Sequence, residues 1–152
     1  MSPARRTLAD LKTAGSLEPI PADPAIITNL LHQARNHLVT AAGALSTDTE
    51  GAFVLAYDAC RKICTALLFA LQLRPTGVGS QITTFQAAAA AADTFGARQV
   101  VEEAADLRRI RNGSEYRGNI IDTADATDAV VIGRDLLHVL EPAIHKILTI
   151  TP

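Results

Sequence analysis

The fold of this chain is decided by the stretch from Glu50 to Leu73, EGAFVLAYDACRKICTALLFALQL. Apolar residues recur along it at the spacing of an α-helix, and in its second half they occupy almost the whole circumference. A helix that is apolar on all sides must be covered on all sides, either by other helices or by a second subunit. The sequence therefore predicts a long helix at the centre of a bundle or in a subunit interface.

Four further segments carry a helical pattern on either side of this stretch. Asp23-Pro24 marks the start of one of them, because Asp caps a helix and proline fits the first helical position. Six consecutive alanines, Ala87–Ala92, predict close helix packing in another, since alanine is small and favours the helix. The four predicted helices are approximately residues 24–45, 80–95, 97–112 and 127–148.

Together these segments predict an all-α fold, an up-down bundle of about five helices. In this interpretation residues 22–152 form the bundle, and residues 1–21 form an N-terminal arm and linker because Pro19 and Pro21 favour an extended chain. We find no strand pattern, glycine-rich phosphate loop or internal repeat. A length of 152 residues, with 48% hydrophobic and 20% charged residues, fits one ordinary globular domain.

Composition limits the classes of function. A net charge of −2 provides no overall attraction to nucleic acid, so any such binding requires a local basic patch. Aromatic residues make up only 4%, which argues against a stacking platform for single-stranded bases. The longest apolar run, residues 63–71, is much shorter than the ~20 residues that span a bilayer, and no signal peptide pattern is visible. We therefore expect a cytoplasmic location and no membrane association.

The cysteines and histidines do not form a metal-binding pattern. Cys60 and Cys64 lie one helical turn apart on one face, and we interpret them as buried core thiols, since free Cys is among the most buried residue types. His138 and His145 share a face, but no third ligand lies near them in the sequence. We expect no metal site and no cofactor.

Basic residues are concentrated in residues 107–118, LRRIRNGSEYRG, which contain four of the fourteen in the chain. Arg111 lies on the apolar stripe of its predicted helix, where a guanidinium needs a carboxylate, carbonyls, a partner subunit or an anionic ligand. Gly113 costs a helix interior about 1 kcal/mol relative to Ala, so we expect the helix to break there. A kink would bring Tyr116 close to Arg111, whereas an unbroken helix would hold them about 140° apart. The segment thus predicts a phosphate-binding pocket at a bent helix.

The motif Arg111-Asn112 followed by Tyr116 resembles the signature of the HEPN superfamily, which is an Arg, four to six residues and then a His. In many members the residue after the Arg is polar and often Asn, as it is here. Tyr116 stands where the signature has His. The resemblance to small HEPN proteins of the actinobacterial type extends upstream to three further stretches, Ala56–Lys62, Leu73–Pro75 and Gly79–Phe85.

The resemblance implies an HEPN-like protein of a toxin–antitoxin or phage-defence system, working as a homodimer on RNA such as tRNA or mRNA. Its activity would be metal-independent endoribonuclease cleavage, with the motifs of both subunits facing one cleft. Arg111 would bind the scissile phosphate, Asn112 would orient it, and Tyr116 would take the place of the histidine. The other arginines of the segment would bind RNA, namely Arg108, Arg109 and Arg117.

Two alternatives stay open. A phenol with a pKa of about 10 is a poor general base near neutral pH, whereas an imidazole titrates in that range. In the first alternative, the chain is therefore a non-catalytic HEPN module that pairs with a nucleotidyltransferase or with a cognate toxin or antitoxin. In the other alternative, residues 108–117 form only a helix hinge with surface salt bridges in a structural homodimer.

Overall fold

The computed structural model describes residues 6–150. Six helices account for most of this range, and two strands of three residues each are the remaining regular structure in it. The predicted all-α helical bundle is therefore confirmed. In chain order the elements are α1 (Leu8–Thr13), β1 (Leu17–Pro19), α2 (Pro24–Ala44), α3 (Thr49–Ala70), β2 (Leu73–Pro75), α4 (Ser80–Asp93), α5 (Arg98–Arg117) and α6 (Thr123–Ile150).

Aspartate side chains cap the first two long helices of the bundle, α2 and α3. The Asp23 carboxylate accepts hydrogen bonds from the backbone N–H groups of Ala25 and Ile26, at 3.0 and 3.4 Å, at the start of α2. At the start of α3, Asp48 accepts one from the N–H of Gly51 at 2.9 Å. These carboxylates satisfy N–H groups that have no partner within the helix, so the start of α2 lies where the sequence predicted it.

The central position predicted for α3 is confirmed. This helix packs against α2, α4, α5 and α6, and its side chains Phe53, Ile63 and Leu67 are fully buried. Cys60 and Cys64 are also fully buried, as predicted. Most of the alanine run of α4 is buried as well, which agrees with the predicted close packing of that helix. The buried alanines are Ala87, Ala88, Ala89, Ala91 and Ala92.

A small antiparallel sheet, absent from the sequence prediction, attaches the N-terminal segment to the bundle. Strand β1 pairs with β2 so that Glu18 lies opposite Arg74, and the two side chains form an ion pair. Leu11 and Leu17 are buried in a second apolar cluster that includes Leu73. Strands of three residues that each contain a proline are too short to show an alternating pattern. Part of the predicted arm is thus packed against the bundle.

Helix α6 is longer than predicted at both ends, because it begins at Thr123 and continues through Pro142 to Ile150. Two of its valines, Val131 and Val139, are 49% and 39% exposed. Both lie at the edge of the apolar stripe and face outward. None of the described helices combines the length and apolar character needed to cross a membrane.

Candidate functional site

The helix break predicted at Gly113 is wrong. Helix α5 continues through this residue to Arg117 and ends at Gly118, whose φ of 68° is the left-handed conformation that glycine adopts most readily. The Gly113 carbonyl accepts hydrogen bonds from the N–H groups of Gly118 and Asn119. A Cβ atom at Gly113 would lie 2.8 Å from Asn119 Nδ2. The glycine therefore permits a close approach of the following loop instead of a break.

An unbroken α5 separates the two residues that the predicted pocket requires. Arg111 faces the bundle, with its side chain 23% exposed, whereas Tyr116 is 77% exposed. Five residues along a straight helix correspond to about 140° of rotation, so the two side chains leave α5 in different directions. Within one chain, the structure does not bring Tyr116 to Arg111.

The phenol of Tyr57 on α3 lies within electrostatic range of Arg111. Burial raises the pKa of Tyr57, and the positive charges of Arg108, Arg61 and Arg111 offset this only in part. The Tyr57 hydroxyl donates a hydrogen bond to Gln81 Oε1 at 3.3 Å. Tyr57 is only 6% exposed, so this phenol remains protonated and holds its position.

Arg61 also belongs to a charged group on the side of α3 that faces α2. Its Nη2 atom donates a hydrogen bond to Asp58 Oδ1 at 2.6 Å. Lys62 Nζ and His37 Nε2 approach Asp58 Oδ2 at 3.5 and 3.3 Å. Burial raises the pKa of Asp58, but Arg61, Lys62 and His37 more than offset it, so the pKa lies below its ordinary value. Asp58 therefore stays ionised and orients three basic side chains.

The charges of Arg61, Arg108 and Arg111 all act on Tyr57, and Lys62 shares Asp58 with Arg61; we call these four side chains the basic cluster. Within residues 6–150 two carboxylates pair with its members, Asp58 with Arg61 and Lys62, and Glu115, whose Oε2 lies 3.4 Å from Arg111 Nη1. Among the described residues Arg108 has no carboxylate within salt-bridge distance, although it is half-buried. The basic cluster keeps an excess of positive charge and one guanidinium whose donors are available to an anion.

The remaining predicted site residues occupy other surfaces of α5. Arg109 is 83% exposed and approaches Asp106 at 3.9 Å, on the side of α5 that faces α6. Arg117 is exposed at the end of the helix, and Asn112 is half-buried. Of the six residues predicted to act together, Arg108 and Arg111 are the two whose positive charges act on Tyr57.

Sequence reasoning missed Tyr57 and Arg61 as site residues. They belong to a stretch that carried the resemblance, Ala56–Lys62, but neither received a role. A signal was present, because the two polar side chains are four residues apart on one face of a largely apolar helix, which is similar to the anomaly that drew attention to Arg111. Which helix this face would meet was not visible in the sequence.

Metal ligation finds no support in the described part of the chain, where no three His, Cys, Asp or Glu side chains come together in a way that could hold an ion. The arrangement is one of fixed hydrogen-bond donors and positive charge, which is suited to binding an anion such as a phosphodiester. Comparisons of the chain with protein-family models, with curated proteins and with solved structures found no match.

Proposed function

We propose that this chain is an HEPN-like protein of a toxin–antitoxin or phage-defence system that binds RNA as a homodimer, through contacts of the basic cluster with the phosphodiester backbone. The observation that carries the proposal is the pair of half-buried side chains Arg108 and Arg111 on α5, whose positive charges act on Tyr57 of α3 together with that of Arg61. The motif resemblance also supports RNA binding by this segment of α5.

Charge and geometry both favour phosphate as the ligand. Guanidinium groups bind phosphate oxygens through two parallel hydrogen bonds, and neutralising a phosphate releases condensed counterions. The chain as a whole carries a charge of −2, so attraction has to come from the local excess at the basic cluster. Burial of Tyr57 leaves no exposed ring in this cluster for base stacking. Binding should therefore depend strongly on salt and weakly on base sequence.

A pair of matched variants tests the proposal. Arg108→Gln and Arg109→Gln each remove one positive charge from adjacent positions of α5, but only Arg108 belongs to the basic cluster. In a fluorescence anisotropy titration with a labelled single-stranded RNA, we expect Arg108→Gln to weaken binding about fivefold to tenfold. It should also reduce the slope of log K against log salt by about 0.7.

The control Arg109→Gln should change affinity less than about twofold, because its guanidinium is exposed on the other side of the helix. Equal losses in the two variants would show that only overall charge matters, which contradicts the proposed site. If the wild-type chain binds no RNA and sediments as a dimer, the structural homodimer is the remaining alternative.

A second candidate function, metal-independent endoribonuclease activity, is favoured by one observation. His37 Nε2 lies 3.3 Å from Asp58 Oδ2, and Asp58 also pairs with Arg61 and Lys62, so an imidazole shares a carboxylate with two members of the basic cluster. Cleavage would form a bond from the 2′-oxygen to phosphorus and release the 5′-oxygen. A base must take the 2′-hydroxyl proton and an acid must protonate the leaving oxygen. An imidazole is suited to both transfers near neutral pH.

Incubation of the chain with labelled tRNA and mRNA in EDTA tests this candidate. We expect Arg111→Gln and His37→Gln to abolish cleavage and Tyr116→Phe to leave it intact. Loss of cleavage in Tyr116→Phe alone would instead assign the proton transfer to Tyr116, as the motif resemblance implies. A wild-type chain that binds RNA without cutting it would match the non-catalytic module that pairs with a nucleotidyltransferase or a cognate toxin or antitoxin.

A further inference from the structure

A groove follows the seam between α5 and α6, on the side of α5 away from the basic cluster. It consists of two adjoining cavities of about 570 and 340 Å³, and Glu103 lines both of them. The larger cavity lies towards the C-terminal end of α5, and the smaller lies towards its N-terminal end. Neither is lined by a residue of the basic cluster.

The α6 wall of this groove is a regular stripe. Its residues recur at intervals of three or four and therefore lie on one face of the helix. From the first to the last they cover about 21 Å at 1.5 Å per residue, which is close to four helical turns. The groove is thus long enough for a helix of several turns to lie along it. The stripe residues are Asp125, Asp128, Ile132, Asp135 and Val139.

The floor of the groove is apolar and partly open to solvent. Ile110 and Ile132 are half-buried on this floor, and Val139, 39% exposed, and Ile120, 94% exposed, lie at its open edges. Aliphatic side chains that line a hollow, and are not scattered singly, indicate a contact surface for another apolar group. The groove therefore offers hydrophobic burial to an occupant with its own aliphatic residues.

The rim of the groove is acidic. Five carboxylates line the two cavities, and Arg109 is the one cationic residue among the described residues that line them. Burial, together with the charges of Asp122 and Asp128, raises the pKa of Asp125. Such a rim repels RNA phosphates and attracts lysine and arginine side chains. The carboxylates are those of Glu103, Asp106, Asp125, Asp128 and Asp135.

We propose that the α5–α6 groove docks a cationic amphipathic helix of a partner protein. Aliphatic residues of that helix lie on the isoleucine floor, and its flanking lysine or arginine residues pair with the acidic rim, which is the helix-in-groove mode of recognition. The proposal does not depend on RNA binding, because the groove and the basic cluster lie on different sides of α5.

A synthetic peptide serves as the probe. It is a labelled helix of about 18 residues with leucine at every third or fourth position and lysine on the flanking positions. A scrambled peptide of the same composition lacks the apolar stripe. In anisotropy titrations with the full chain, we expect the amphipathic peptide to bind at least tenfold more tightly than the scrambled one, and its affinity to fall with added salt.

Two matched pairs of variants locate the peptide. Ile120→Ser and Val78→Ser each remove an exposed aliphatic side chain, but only Ile120 lines the groove. We expect about tenfold weaker binding for Ile120→Ser and no change for Val78→Ser. Asp128→Asn and Glu50→Gln each remove one exposed negative charge, and only Asp128→Asn should weaken binding, about threefold at low salt. Circular dichroism confirms that each variant is folded.

Three results would overturn the proposal. Equal binding of the scrambled peptide would show attraction to charge alone. Unchanged affinity in Ile120→Ser would place the peptide elsewhere on the chain. If Ile120→Ser instead dissociates a dimer of this chain in sedimentation, the groove is covered by a second copy and not by a partner protein.

Discussion

Gly133 lies where α6 crosses α2 and α3, and replacing it with alanine measures how tightly these helices pack. An added Cβ atom would lie 2.5 Å from Leu38 Cδ2 and 3.6 Å from Cys60 Sγ. Carbon atoms pack best at about 3.5–4.0 Å, so the shortfall to Leu38 is roughly 1 Å. Leu38 is only 3% exposed, so its side chain has little room to retreat.

The two contributions to the change in stability oppose each other. Alanine favours the helix over glycine by up to about 1 kcal/mol, whereas overpacking a well-packed core costs about 1–3 kcal/mol. We therefore expect Gly133→Ala to destabilise the protein by about 1 kcal/mol overall. Gly43→Ala is the matched control, because Gly43 lies in α2 with no atom within 4 Å of the added Cβ. That variant should gain up to about 1 kcal/mol.

Urea unfolding followed by circular dichroism gives both free energies of unfolding. We expect a difference of about 2 kcal/mol between the two variants, which corresponds to roughly 4–8 °C in Tm for a chain of this length. In a Leu38→Ala background, which removes the obstructing methyl groups, Gly133→Ala should become stabilising. The coupling free energy of this double-mutant cycle should be about 1–3 kcal/mol.

The reasoning is refuted if Gly133→Ala stabilises the wild-type chain as much as Gly43→Ala does. It is also refuted if the effect of Gly133→Ala is the same in the Leu38→Ala background. Either result would mean that α6 does not approach Leu38 closely, and that the helix crossing is set by other contacts.

Three further predictions concern polar groups that are buried or half-buried. Ser114 Oγ is buried with no hydrogen-bond partner among the described residues. Ser114→Ala should therefore raise the free energy of unfolding, measured in urea, by about 1 kcal/mol. A lower free energy of unfolding would show that the hydroxyl has a partner. The pKa of Asp58 is lower in the folded state, so its contribution is present above the ordinary pKa of about 3.9 and is lost as pH falls below it. Asp58→Asn should therefore destabilise near pH 7, and the difference from wild type should shrink below about pH 4; a constant difference would contradict this. Burial raises the pKa of Cys60 to about 12 and that of Cys64 well above its usual value. Neither thiol should therefore react with a disulfide reagent until guanidinium chloride unfolds the chain. Rapid labelling of the folded chain would refute this prediction.

Much of the site was visible in the sequence as single anomalies. Arg111 interrupts an apolar stripe, and the structure confirms that it faces the bundle with limited exposure. Arg108 was one of several basic neighbours, and nothing local distinguished it from Arg109. The two differ because 100° of helical rotation turns Arg108 towards α3 and Arg109 towards α6. This difference depends on where the neighbouring helices lie.

The prediction of a helix break at Gly113 was wrong for a related reason. A glycine in a helix interior destabilises the helix by about 1 kcal/mol, and the free energy gained from packing in the surrounding bundle readily exceeds that cost. The glycine is needed for the close approach of Asn119 after the chain turns back at Gly118. A tertiary contact therefore decided its role, and the pairing of Tyr116 with Arg111 was lost with the kink.

By itself the sequence determined the helical bundle, the apolar central helix α3, the capped start of α2 and the burial of Cys60 and Cys64. These features depend on local periodicity and caps, which neighbouring residues encode. The tertiary structure alone decided that Tyr57 lies within electrostatic range of Arg108 and Arg111, that β1 pairs with β2, and that an acidic groove opens between α5 and α6. Each of these brings together residues far apart in the chain, so their juxtaposition depends on how the helices pack.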